Sequence, residues 1–151
     1  MTIDLRAPRL DELASLSQLC LRSKAHWGYD AEFMAACVEE LTLGPEDIEQ
    51  TQMVVAELDG ELAGMAQVSF DGRYAELDKL FVDPPFIGHG CGDVLMRWAM
   101  QAAREAGQTR LMIASDPSAE PFYDRYGAAR HGFMASASIR GRDLPWLAID
   151  L

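Results

Sequence analysis

Cysteine, histidine and basic residues are all scarce in this chain, and each scarcity removes a class of chemistry. The 151 residues hold three cysteines, Cys20, Cys37 and Cys91, an odd set with no C-x-x-C pair, so neither a disulfide framework nor a thiolate zinc site is expected. The three histidines, His26, His89 and His131, are equally scattered, and no structural metal is expected. Lysine and arginine number 13 against 24 aspartates and glutamates, a formal net charge of −11. That balance opposes contact with a nucleic-acid backbone or an anionic membrane surface and slightly favours a cationic substrate. No apolar run approaches the roughly 18 to 20 residues of a membrane-spanning helix. The opening MTIDLRAPRLDEL lacks the basic region and apolar core of a secretory signal, so a cytoplasmic protein is expected. Two familiar nucleotide fingerprints are missing as well: no Gly-Lys-Ser/Thr closes a P-loop, and no G-x-G-x-x-G is found.

What is there reads as one soluble domain, 1–151, with 49% apolar and 25% charged residues,. Ile3 to Ala7 alternates as a short strand, and apolar residues from Leu10 to about Ala25 recur at helical spacing. Trp27 and Tyr29 then fall on a turn, where they either shape a binding site or fold back as packing anchors. Asp30 caps a second helix that Gly44-Pro45 closes, and Glu46 to Gln50 reads as an acidic linker. Asp59-Gly60 between two apolar runs predicts a type I′ hairpin, and a turn at Asp71-Gly72-Arg73 leads to a third consecutive antiparallel strand, Tyr74 to Val82. Strict alternation there puts Glu76, Asp78, Leu80 and Val82 on one face and Leu77, Lys79 and Phe81 on the other.

The strand runs into Gly88-His89-Gly90-Cys91-Gly92-Asp93 and then a long amphipathic helix ending at Gly107. Alternating glycines turn the backbone tightly and aim successive N–H groups into one concavity, and the helix start adds its own unpaired donors and positive dipole end. The place suits an anion such as a pyrophosphate. Arg110 to Ala114 follows as a buried strand parallel to Tyr74–Val82. A brief helix through Phe122-Tyr123 comes next, and a final pair of strands over Arg130 to Ile139 and Leu144 to Leu151.

The order β α α β β β α β α β β, with a glycine loop between the fourth strand and the third helix, resembles the GNAT family of acyl-CoA-dependent N-acyltransferases. Gly90-Cys91-Gly92 matches the family's phosphate signature. Asp116, Ala119, Phe122-Tyr123 and Gly127 resemble its C-terminal pattern. Two departures stand out: the family's Arg or Gln falls on Ile87, and its frequent Asn falls on Asp116. The resemblance implies an α/β GNAT fold with a mixed central sheet of about seven strands flanked by about four helices. It implies acetyl-CoA as cofactor and a small-molecule or peptide amine as acceptor. Many relatives resemble dimers joined through their C-terminal strands, so a homodimer is an implied partner.

By the same resemblance, the backbone of Leu80, Phe81 and Val82 pairs with the pantetheine arm. Ile87, Gly88, His89, Gly90, Cys91, Gly92 and Asp93 surround the pyrophosphate, and Asp116, Ala119 and Phe122 complete the cofactor site. Tyr123 matches the general acid that protonates the departing thiolate. An amine with an ordinary pKa near 10 is protonated at neutral pH and needs a base; Glu76 is the first candidate and Asp78 the second. Trp27 and Tyr29 are candidates for acceptor binding. Cys91, at a helix start, is a filler or a thiol of depressed pKa. The rival class is a non-catalytic module that keeps the acyl-CoA site for regulation or assembly.

Overall fold

The computed structural model describes residues 1–151. Seven strands build one mixed sheet: β1 (Ile3–Arg6), β2 (Gln52–Leu58), β3 (Glu61–Phe70), β4 (Ala75–Val82), β5 (Arg110–Ala114), β6 (Ala129–Ala135) and β7 (Asp143–Asp150), in the spatial order β1-β2-β3-β4-β5-β7-β6. Five helices accompany them: α1 (Leu13–Ala25), α2 (Ala31–Leu41), α3 (Pro45–Gln50), α4 (Cys91–Glu105) and α5 (Glu120–Asp124). None is long and apolar enough to cross a membrane. The helix beyond the four expected is α3, the segment expected as an acidic linker. Gly44-Pro45 does not merely end α2; Pro45 takes the first position of α3, where its missing N–H costs nothing, and the Gly44 N–H donates to Asp47 Oδ2 at 2.8 Å,.

Local chemistry sets the other boundaries. Asp59 and Gly60 both have positive φ, 51° and 84°, as a type I′ hairpin requires,. Asp30 accepts the Phe33 N–H at 2.8 Å and starts α2,. Past the end of α4, the N–H groups of Gly107 and Gln108 return to the carbonyls of Arg104 and Ala103, with Gly107 at φ 79°,.

Two layers cover the sheet. On one face α4 lays Leu95, Met96, Ala99 and Ala103 against Ala66, Ala75, Leu77 and Leu111. On the other, Leu16 and Leu19 of α1 and Cys37 and Leu41 of α2 pack on Val55 and Met65. Leu16 is wholly buried, so Leu16→Ala should cost about 3 kcal/mol of stability, seen as a lower urea midpoint at unchanged slope. A loss below about 1 kcal/mol would show that α1 is not integral to that layer.

Two irregularities of β4 shape everything that follows. Gln67 of β3 opposes Lys79 while the next residue, Val68, opposes Leu77, so Asp78 has no partner and forms a β-bulge,. The extra residue resets the alternation: Ala75 and Leu77 pack beneath α4, and so do Leu80 and Val82. Phe81 turns to the α1 side. The expected single face of Glu76, Asp78, Leu80 and Val82 is therefore wrong, because a strict period of two cannot pass through a bulge. Secondly, β4 pairs with β5 only at Ala75–Leu111 and Glu76–Met112, after which the two strands part.

Candidate active site

The parting of β4 and β5 opens a cleft of about 660 Å³. Along one wall, Leu80, Phe81 and Val82 pair with Ala66, Met65 and Gly64 of β3, while their other backbone edge meets no strand. An edge held in register on one side and free on the other can take an extended, amide-bearing ligand as a further strand. Gly64 makes this wall possible. A Cβ there would lie 2.7 Å from the Phe81 carbonyl oxygen and 3.0 Å from Leu95 Cδ1, so any side chain would push β4 out of line.

The wall runs into the glycine turn. Asp83, at the corner, is anchored by Arg22 of α1, whose Nε and Nη2 donate to its two carboxylate oxygens at 3.0 and 2.9 Å. Beyond a single 3₁₀ turn at Pro84–Phe86, six successive N–H groups from Gly88 to Asp93 find no acceptor within the chain. Gly88 and Gly90 sit at φ 88° and 90°, where a side chain would be strained. Gly92 is small for another reason: a Cβ would approach Phe122 Cε1 to 3.3 Å. Donors converging at the start of the 15-residue α4 make an anion site,.

Ile87, Gly88, Gly90, Cys91, Gly92 and Asp93 all line this end, whereas the exposed His89 side chain does not. The Asp93 carboxylate is already occupied, accepting from Tyr126 Oη at 2.6 Å and Arg97 Nε at 2.9 Å. Those bonds hold its pKa below the usual aspartate value. Cys91 is buried, and burial pushes its thiol up. The lowered pKa considered for a thiol at a helix start is not found, since desolvation outweighs the backbone N–H that would lower it,.

Opposite the wall stand Ala119, Phe122 and Tyr123. Phe122 and Tyr123 meet edge to face at 5.2 Å. The Tyr123 ring is buried in the α4 layer, but its hydroxyl lines the cleft with no hydrogen bond inside the chain. Burial first, and then the negative charge of Asp116, push its pKa up. It is an O–H donor at any physiological pH.

The carboxylates expected as bases part company here. Asp78 lines the cleft and Glu76 does not. Desolvation raises the pKa of both. For Glu76 the charges of Asp78 and Asp71 add to it; for Asp78 the Ser69 hydroxyl and the Lys79 charge work against it. The two loop aromatics also separate. Trp27 is 48% exposed and faces the cleft. Tyr29 takes the packing role instead: it stacks on Phe33 with centroids 3.9 Å apart and donates its hydroxyl to Asp116 Oδ2 at 2.6 Å.

Lys24, Glu40, Lys79 and Arg125 also line the cleft and were not expected from the sequence. Lys79 donates to Oε1 of the buried Gln67 at 3.3 Å. The Arg125 guanidinium lies 5.0 Å over the Phe122 ring. Arg125 carried a readable signal, being two residues beyond Tyr123 on the same short helix pattern, and Lys79 lies between Asp78 and Leu80 but was expected on the opposite face of the strand. Lys24 and Glu40 arrive from other elements, α1 and α2.

A sheet split between its fourth and fifth strands, with an amide nest where the fourth runs into a long helix, is the architecture of a CoA-dependent acyltransferase fold. The sequence matches the acetyltransferase (GNAT) family model over residues 12–128, and the chain belongs to that family. No curated protein sequence matches it. Among solved structures, a GCN5-related N-acetyltransferase from Rhodopseudomonas palustris superposes with a TM-score of 0.82 at 20% identity, over 100% of this chain and 97% of that one. The PaiA N-acetyltransferase of Thermoplasma acidophilum, solved with coenzyme A, gives 0.74 at 16% identity over 100% of both chains. The ribosomal-protein-S18-alanine N-acetyltransferase of Escherichia coli gives 0.72 at 17%, over 99% and 94%.

Proposed function

We propose that this chain transfers the acetyl group of acetyl-CoA directly to an amine. The observation that carries the proposal is the continuity of the free edge of Leu80–Val82 with the six unpaired N–H groups of Gly88–Asp93. That layout suits a ligand with an amide-bearing arm and a pyrophosphate. Acetyl-CoA supplies an activated thioester.

In this reading Leu80, Phe81 and Val82 bind the arm through the backbone. The loop from Ile87 through His89 and Gly90 to Asp93 cradles the phosphates through main-chain donors, and Ala119 and Phe122 close the slot. An N–H of the β4 edge near Leu80 or Phe81 stabilises the charge developing on the thioester oxygen, commonly worth about 3 kcal/mol per donor. Asp78 accepts a proton from the amine as nitrogen bonds to the carbonyl carbon. The C–S bond then breaks, and Tyr123 donates its proton to the leaving sulfur. The tyrosinate regains its proton from Asp78 through water, so a free amine gives an amide and a thiol with no net proton released, and an acceptor that arrives as an ammonium gives up one further proton to solvent. A thiolate formed in a desolvated cleft is a stronger base than in water, which suits a phenol of raised pKa as its partner. Trp27 contributes an aromatic surface to the acceptor side. Glu76, outside the cleft, is the alternative base acting through water.

Thiol release from acetyl-CoA with a panel of amines, set beside a thermal shift with CoA alone, tests this directly. A shift without turnover on any amine would make the domain a binding module instead. Ile87 offers a second test, because it leaves the phosphate end without the guanidinium or amide of the family pattern and is itself exposed. Ile87→Arg should tighten CoA binding by about fivefold at low salt, the gain fading as salt screens it. Isothermal titration at two ionic strengths reads the effect, and unchanged affinity would show that the backbone nest already saturates the phosphates.

A further inference from the structure

Three segments distant in sequence meet at the carboxylate of Asp116. Its Oδ1 accepts the Ser118 N–H at 2.9 Å and so holds the turn into α5. Its Oδ2 accepts from Tyr29 Oη at 2.6 Å and from Lys24 Nζ at 3.5 Å, and lies 3.6 Å from the Arg142 guanidinium. Arg142 also donates to Tyr29 Oη at 2.8 Å, across 113 residues of chain, and its guanidinium covers the Phe33 ring at 4.9 Å. The same β6–β7 turn makes a second tie, from the Ser138 hydroxyl to Glu40 of α2.

These ties matter because the sheet itself is weakly joined at this point. The half built of β1 to β4, with α1 and α2 upon it, pairs with the half built of β5 to β7 at only two residue positions. Lys24 and Tyr29 belong to the first half, Asp116 and Arg142 to the second. The side chains of Asp116, Lys24 and Arg142 are 11%, 16% and 19% exposed, so their attraction is little screened by water. A carboxylate has no proton to offer a ligand carbonyl, whereas an amide at this position would. Both oxygens of Asp116 are already taken by the chain's own donors.

We infer that Asp116 is a positioning residue which, with Lys24, Tyr29 and Arg142, clamps the two halves of the sheet and fixes the width of the amine-side mouth of the cleft. The clamp lies on the α1 and α2 side and touches no donor of the phosphate nest. The inference rests on the acyl-transfer reading only for its kinetic consequence.

Asp116→Asn and Arg142→Gln, singly and together, test it. In the free protein, amide hydrogen exchange over residues 26–33 should speed up about tenfold in either variant while α4 stays protected, because removing charge-assisted bonds frees a local opening. With amine present, the KM for the amine should rise about tenfold while the Kd for CoA moves less than twofold, and the double variant should be no worse than the worse single one, as expected of partners in one network. Unchanged exchange in residues 26–33 would overturn the clamp. So would a CoA Kd that rises as far as the amine KM, which would make Asp116 a cofactor contact. Should Asp116→Asn fail to fold, Arg142→Gln, made in a turn, carries both readouts. If the wild-type protein releases no thiol with any amine, the transfer reading falls while the exchange experiment still decides the clamp.

Discussion

Tyr123→Phe should lower kcat by about 10²-fold or more while the Kd for CoA changes less than twofold. The expectation follows from how ring and hydroxyl are divided. The ring belongs to the apolar layer under α4 and phenylalanine keeps it. The hydroxyl reaches the cleft without a partner in the chain, so its loss orphans nothing in the free protein and should barely alter stability. Tyr126 supplies the contrast. Its hydroxyl donates to Asp93 at 2.6 Å, beside the phosphate nest, and burial followed by that carboxylate pushes its pKa to about 12. Tyr126→Phe should therefore weaken CoA binding severalfold and leave kcat nearly intact, a loss in keeping with one charge-assisted hydrogen bond. Stopped-flow thiol release and titration calorimetry separate the pair. A Tyr123→Phe variant that loses CoA binding and turnover together would reduce Tyr123 to a packing residue.

The glycine nest and the Phe-Tyr pattern were legible because each depends on local chemistry. Gly88 and Gly90 occupy positive φ, a demand that sequence expresses directly. Hairpins, caps and the apolar stripe of α4 were legible for the same reason. The helix α3 was not, because Gly44-Pro45 stops one helix and starts the next with the same two residues. The facing of β4 was misread because no local signal marks Asp78 as a bulge: the extra residue exists only relative to β3, through the offset between Gln67–Lys79 and Val68–Leu77. Asp78 lines the cleft and Glu76 does not, because β4 is still paired with β5 at Glu76 and parts from it only beyond. The role of Tyr29 was likewise a long-range matter. Its fate depended on Asp116 and Arg142, 87 and 113 residues away, and no window along the chain contains that pairing.

The separation of the two carboxylates makes a sharp kinetic statement. Asp78→Asn should reduce kcat/KM at neutral pH by about 10²-fold, and it should change the shape of the pH profile as well as its height. With Asp78 as the proposed base, the rate needs it unprotonated and kcat/KM rises with pH through the Asp78 pKa. Desolvation has moved that pKa upward, which places the acidic limb above the ordinary aspartate range. In the asparagine variant the limb disappears, and kcat/KM should instead climb with the fraction of free amine toward the amine's own pKa near 10. The variant thus recovers at high pH, which a merely misfolded protein would not do. An aspartate can serve so strong a base as an amine because the nitrogen becomes far more acidic as the C–N bond forms. Glu76→Gln is the matched control, with an expected loss below about threefold, the effect of a changed neighbouring charge. If that variant loses the acidic limb and Asp78→Asn keeps it, Glu76 is the base working through water, and the bulge serves only to open the strand edge.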